Sequence, residues 1–258
     1  MSDPILTQRD ENILVITLNR AEAYNALNLD MMKMLSEVLS SAARDDSIMG
    51  IVITGSGKAF CAGGDLKWIS QQSDKAGSVL HRLAPQFHLA ITEIRHMAKP
   101  VIAAINGIAA GGGFSLALAC DFRVIAESAQ LRQAYTSSGL SIDGGGTFAL
   151  PRLVGLARAM EIAAFDAPIS SARALEWGLV TKVTPDNEVL AESLAMLRQL
   201  SKTALHSFAW SKKLLTDSFN NTLETQLELE RQGISDCAGH PNGQEGIRAF
   251  VEKRKPSF

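Results

Sequence analysis

Lys99-Pro100-Val101-Ile102-Ala103-Ala104-Ile105-Asn106-Gly107-Ile108-Ala109-Ala110-Gly111-Gly112-Gly113-Phe114-Ser115-Leu116-Ala117-Leu118-Ala119-Cys120-Asp121 is the stretch whose reading decides the fold. Val101–Ile105 is a continuous apolar run after a proline and before the turn pair Asn106-Gly107, which predicts a buried strand. The glycine triplet then leads into an apolar helix over 114–120, and Phe122–Ala126 returns as a strand. Strand, glycine-rich turn, helix and strand in that order predict an α/β fold.

Towards the N-terminus the same grammar repeats. Ile13–Leu18 is a β-branched run that stops at Asn19, and Asn28 caps a helix through Met31, Met32, Leu35, Val38 and Leu39 that fades near Asp45-Asp46. Gly50–Gly55 is a second buried strand, 57–65 a loop of small residues, and 78–97 a helix ended by Pro100. Towards the C-terminus the strand signal fades from about Thr147. Helical patterns cover 157–165, 171–177 (closed by Gly178) and 187–200, with one short strand at 179–183. Residues 203–253 read as amphipathic helices carrying Leu223, Leu227 and Leu229 among many charges. The chain thus divides into a core over 1–200 and a helical region over 201–258, which packs on the core or on another subunit.

Composition narrows the function. Of 258 residues 46% are hydrophobic and 20% charged, which excludes disorder and collagen-like structure. A net charge of -2 offers no field for polyanions, so no nucleic acid is expected as partner. Cys61, Cys120 and Cys237 are scattered, without the spacing of a zinc site or redox dithiol, and read as reduced thiols with no metal. Residues 1–8 are polar and show no secretory signal, and the apolar stretch 101–118 is broken by Asn106 and three glycines. A cytoplasmic protein with no membrane span is expected.

Two glycine-rich turns, Cys61-Ala62-Gly63-Gly64-Asp65 and Gly111-Gly112-Gly113, can expose backbone N–H groups, and a helix N-terminus favours negative charge at such donors. For any single glycine, tight turning or close packing is the more ordinary explanation. Taken alone the turns fit an oxyanion hole or a phosphate cradle equally, since neither GxGxxG nor a Walker pattern is present.

The 99–121 block resembles the signature of the enoyl-CoA hydratase/isomerase (crotonase) superfamily. The likeness extends to Ala59-Phe60-Cys61-Ala62-Gly63-Gly64-Asp65-Leu66, Leu150-Pro151-Arg152-Leu153-Val154-Gly155, Ala174-Leu175-Glu176-Trp177-Gly178-Leu179-Val180 and Phe250-Val251-Glu252-Lys253-Arg254, nearly the whole chain. It implies a spiral of ββα turns with a C-terminal helical trimerisation region, an acyl-CoA thioester as partner, and a homotrimer or dimer of trimers. It implies no cofactor beyond the CoA carried by the substrate. It places the oxyanion donors at Gly64 and Gly112, where each such donor is worth roughly 2.7–4 kcal/mol at a transition state.

Hydratases of the family carry two glutamates; the matching positions here hold Ser115 and Tyr135, which disfavours two-glutamate hydration. One acid does stand in the right stretch, Asp143 in Gly139-Leu140-Ser141-Ile142-Asp143-Gly144-Gly145-Gly146-Thr147. Its local reading is a turn or helix cap. The resemblance to 1,2-epoxyphenylacetyl-CoA isomerases and related Δ3,Δ2-enoyl-CoA isomerases makes it the catalytic base instead. An alternative resemblance, to 4-chlorobenzoyl-CoA dehalogenases, makes Asp143 a nucleophile and His88, in Phe87-His88, the base for water. Gly64 and Gly145-Gly146-Thr147 weigh toward the isomerases. A third alternative is a catalytically dead acyl-CoA-binding scaffold. Ala62, Trp68, Phe87 and Tyr135 are expected around the acyl group, although aromatics in such segments are more often core. Lys253 is expected to meet the CoA phosphates across a subunit boundary.

Overall fold

The protein is described by a computed structural model over residues 3–258; Met1 and Ser2, where the stretch read for a secretory signal begins, lie outside it. Within the polar N-terminal stretch begins the strand β1 (Ile5–Asp10), which pairs antiparallel with β2 (Ile13–Leu18). Asn28 accepts a hydrogen bond from the Met31 N–H at 3.0 Å and starts α1 (Leu29–Arg44). Met31, Leu35, Leu39 and Ala42 form its buried stripe.

A ββα unit then recurs. Its first copy is β3 (Gly50–Gly55), β4 (Ala59–Cys61), the short helix α2 (Leu66–Ser70) and α3 (Ala76–His96). The second is β5 (Val101–Ile105), β6 (Ile108–Ala110) and α4 (Gly112–Ala119); the third is β7 (Phe122–Ala126), β8 (Gln130–Arg132) and α5 (Gly146–Phe165). There follow β9 (Ile169–Ser170), α6 (Ser171–Glu176), β10 (Lys182–Thr184) and α7 (Val189–Leu200). The C-terminal helices are α8 (Leu205–Asp217), α9 (Leu223–Gly239) and α10 (Pro241–Val251).

The first strand of each unit builds one sheet, in the order β1-β2-β3-β5-β7-β10, parallel from β2 onward. The second strands build another, β4-β6-β8-β9. Every residue of β3 and β5 is buried, as expected of parallel strands covered on both faces. The architecture is the crotonase-type ββα spiral with helices at the C-terminal end.

Two sequence expectations are corrected. The loop over 57–65 contains β4, and the strand at 179–183 lies later, at Lys182–Thr184, because Leu179 and Val180 are buried in the turn after Gly178. The second sheet was not foreseen, since two or three residues display no period. Among the described residues no helix is long and apolar enough to cross a membrane.

Lys212 fastens α8 to the core. Its ammonium, 7% exposed as a residue, donates to the Ile94 carbonyl (2.8 Å), the Lys99 carbonyl (3.1 Å) and Asp121 Oδ2 (2.8 Å). Burial pushes the Asp121 carboxyl up and the Lys212 ammonium down, and mutual attraction opposes both shifts.

Candidate active site

The two glycine turns meet because consecutive spiral units stack. At the first, the Leu27 N–H donates to the Gly63 carbonyl (2.7 Å) and the Asp65 N–H to the Leu27 carbonyl (2.9 Å), which ties the turn to the segment before α1. Asp65 caps α2 by accepting from the Trp68 N–H at 2.8 Å, and it pairs with Arg20 at 2.8 Å. Gly63 has φ +98, and a Cβ there would stand 2.9 Å from the Ala110 carbonyl oxygen and 3.1 Å from the Gly112 nitrogen. A side chain at 63 would therefore push the turns apart. Gly113 is equally constrained, its hypothetical Cβ lying 2.1 Å from the Cys61 carbonyl oxygen.

Neither the Gly64 N–H nor the Gly112 N–H donates a hydrogen bond among the described residues. Gly64 escapes because its bridge to Leu27 uses its neighbours' groups, and Gly112 because it opens α4. Both line a cavity of about 190 Å³. Leu27, Leu83, Phe87 and Leu140 give it apolar walls, with Leu27 and Phe87 close beside Gly112, and Tyr135, Ser138 and Asp143 add polar side chains. Two free N–H groups lining a largely apolar cavity suit a thioester carbonyl whose acyl group lies within.

Asp143 is held by its backbone. Its carbonyl accepts from the Ser115 hydroxyl (2.6 Å), the Tyr135 hydroxyl (3.4 Å) and the Gly146 N–H (3.2 Å). The side chain does not cap α5, whose N-cap position is Gly145, so of the local readings the cap fails, while the Gly146 N–H bond makes Asp143 the first residue of a turn. The carboxylate instead meets His88, with Nε2 2.6 Å from Oδ1; both side chains are about half exposed, at 50% and 43%. Among the described residues lining the cavity Asp143 is the sole carboxylate.

Ser115 and Tyr135 thus face each other, their hydroxyl oxygens 3.3 Å apart, and anchor the Asp143 loop. Burial pushes the Tyr135 phenol up to about 12, so it is a neutral hydroxyl at ordinary pH. Burial also pushes the Cys61 thiol up to about 12, which keeps it protonated below the turn.

Of the residues expected from sequence, Ala62, Gly64, Phe87, Gly112, Tyr135 and Asp143 line one cavity, and His88 reaches it through Asp143. Trp68 does not line it. Leu66 and Ile69, three apart on α2, present the facing side, and Trp68 packs partly buried against the core. Lys253, exposed beyond α10, lies outside the lining of this cavity within the chain. Sequence reasoning missed Leu27 and Leu83 as lining residues. Leu83 and Phe87 were recoverable as an i,i+4 pair on the buried stripe of α3.

Residues 8–258 match the sequence model of the family described as enoyl-CoA hydratase/isomerase. The chain is 37% identical to the 1,2-epoxyphenylacetyl-CoA isomerase of Escherichia coli (strain K12), over 100% of this chain and 99% of that relative. It is 38% identical to a probable enoyl-CoA hydratase of Rhodobacter capsulatus, over 96% and 95% of the two chains. The crystal structure of an enoyl-CoA hydratase from Polaromonas sp. JS666 superposes with a TM-score of 0.93 at 40% identity, covering 98% of each chain. Sequence, fold and the paired N–H donors agree, and the chain belongs to the enoyl-CoA hydratase/isomerase family.

Proposed function

We propose that the protein is a Δ3,Δ2-enoyl-CoA-type isomerase in which Asp143 is the base and the Gly64 and Gly112 N–H groups hold the thioester oxygen. The observation that carries this reading is a single carboxylate lining an apolar cavity that also presents two free N–H donors. Asp143 removes a proton from C2 of a 3-enoyl thioester. Charge moves to the thioester oxygen as a dienolate, and the same carboxyl returns the proton at C4. No water needs activation. Ser115 and the neutral Tyr135 hold the Asp143 backbone, and neither supplies the second carboxylate that hydration by two glutamates requires.

The reading takes acyl-CoA as the partner and needs no cofactor besides the CoA of the substrate. It also takes a homotrimer or dimer of trimers in the cytoplasm, with Lys253 meeting CoA phosphates at a subunit boundary. The exposed Leu223, Ile234, Phe250 and Val251 of α9 and α10 support burial against another copy.

The contact between His88 and Asp143 favours one second reading, a dehalogenase-like hydrolase with Asp143 as nucleophile and His88 as base for water. The test is conjugated-thioester absorbance from 3-hexenoyl-CoA with the wild type and Asp143→Asn. Activity confined to the wild type supports the isomerase. Equal rates remove Asp143 from the reaction; inactivity on this thioester with chloride released from 4-chlorobenzoyl-CoA would establish the second reading.

A further inference from the structure

Between α3, α5 and α8 lies a larger cavity, of about 340 Å³, that the isomerase reading does not use. Four cationic side chains line it, Arg95, Arg123, Arg152 and Lys212, against the single carboxylate of Asp121. Lys212 spends all three protons, one of them on Asp121. Buried Arg123 gives Nε to the Leu179 carbonyl (2.6 Å) and Nη1 to the Cys120 carbonyl (2.5 Å), neither of which is a counter-charge.

Arg95 and Arg152 keep donors to spare. Arg95 donates to Thr216 Oγ1 at 3.2 Å. Arg152 gives Nη1 to the Phe148 carbonyl (2.9 Å) and stacks its guanidinium 3.5 Å from the Phe148 ring centroid, while its Nε is buried with no hydrogen-bond partner among the described residues. A buried donor without a partner is costly, and unopposed cations gathered beside apolar walls create a positive potential. Those walls include Phe122 and Phe208, stacked with centroids 6.1 Å apart.

We propose that this cavity binds a small amphipathic carboxylate, its charge on the Arg95 and Arg152 guanidiniums and its apolar body against Phe122 and Phe208. A guanidinium fork matches a carboxylate, and the volume falls at the lower end of the range of roughly 300–1,000 Å³ typical of ligand sites. The cavity adjoins another of about 300 Å³, which shares Arg95, Ala149 and Thr216, carries Asp217 and His96, and reaches Gly144 beside Asp143. An occupant therefore shares Arg95, Ala149 and Thr216 with a cavity that reaches the Asp143 loop.

The probe is 4-phenylbutyrate titrated calorimetrically into the full chain, with 4-phenylbutan-1-ol as the uncharged control. The acid is expected to bind once per chain and the alcohol at least about tenfold more weakly. Binding should be lost in Arg152→Gln and in Ser211→Trp, which fills the cavity from an exposed lining position, while 3-enoyl-CoA turnover stays unchanged. Equal binding of acid and alcohol, binding that persists in both variants, or no heat up to millimolar acid would overturn the proposal. Loss of binding in Leu66→Trp, which obstructs the acyl cavity, would place the acid there and overturn it as well.

Discussion

His88 Nε2 lies 2.6 Å from Asp143 Oδ1, although the two residues are separated by 55 positions and stand on different spiral units. The contact occupies one carboxylate oxygen and leaves the other for the proton transfer proposed above. Asp143→Asn should lower kcat by about 10²–10⁴-fold. His88→Ala should lower it by about tenfold with little change in KM, and His88→Gln, which keeps a donor, should recover most of that loss. Steady-state kinetics on 3-hexenoyl-CoA checks both; an unaffected His88→Ala would reduce the contact to a surface feature.

The glycine turns are unequal in what they tolerate. A Cβ at Gly113 meets the Cys61 carbonyl oxygen at 2.1 Å, whereas a Cβ at Gly64 meets nothing within 4 Å. Gly113→Ala should cost about 3 kcal/mol or more, because backbone cannot move aside as a flexible side chain can. Gly64→Ala should stay within about 0.5 kcal/mol of the wild type. Denaturant melts of the two variants make the comparison.

Removing Lys212 leaves the Asp121 carboxylate buried without its cation. Lys212→Met is expected to destabilise by about 3–5 kcal/mol, and adding Asp121→Asn should restore part of it. A double-mutant cycle by chemical denaturation isolates the coupling. Independent, additive effects would show that α8 is held by its other contacts.

Tyr135 gives the protein an alkaline limit. Its phenol is pushed up to about 12 by burial, above the value near 10 of an unfolded chain. The fold therefore favours the protonated form. Its contribution to stability is complete below about pH 10 and disappears as pH rises toward 12. Tyr135→Phe should flatten the loss of stability between pH 10 and 11.5 relative to the wild type, as followed by urea midpoints at fixed pH.

Much of this was legible in the chain. Ile13–Leu18, Gly50–Gly55 and Val101–Ile105 announce themselves because strands buried on both faces are near-continuous apolar runs, broken here only by glycines and by Thr17 and Thr54. Asp143 stood out as an acid in a glycine loop within a family-like stretch. What escaped was set by tertiary contact. The strands of the second sheet are too short to show alternation, and Trp68 misled because bulk says nothing about which side of a one-turn helix faces the cavity. The meeting of His88 with Asp143 depends on how two spiral units stack, which no local pattern encodes.

The paired donors carry a consequence for folding. Gly64 belongs to one ββα unit and Gly112 to the next, joined where Gly63 abuts the nitrogen of Gly112. On the proposed mechanism neither unit alone holds both oxyanion donors; the pair comes into being only at their seam. Turnover is thus a reporter of repeat registry, and a chain with every helix and strand intact but this seam slipped by an ångström would be native by circular dichroism and silent as an enzyme.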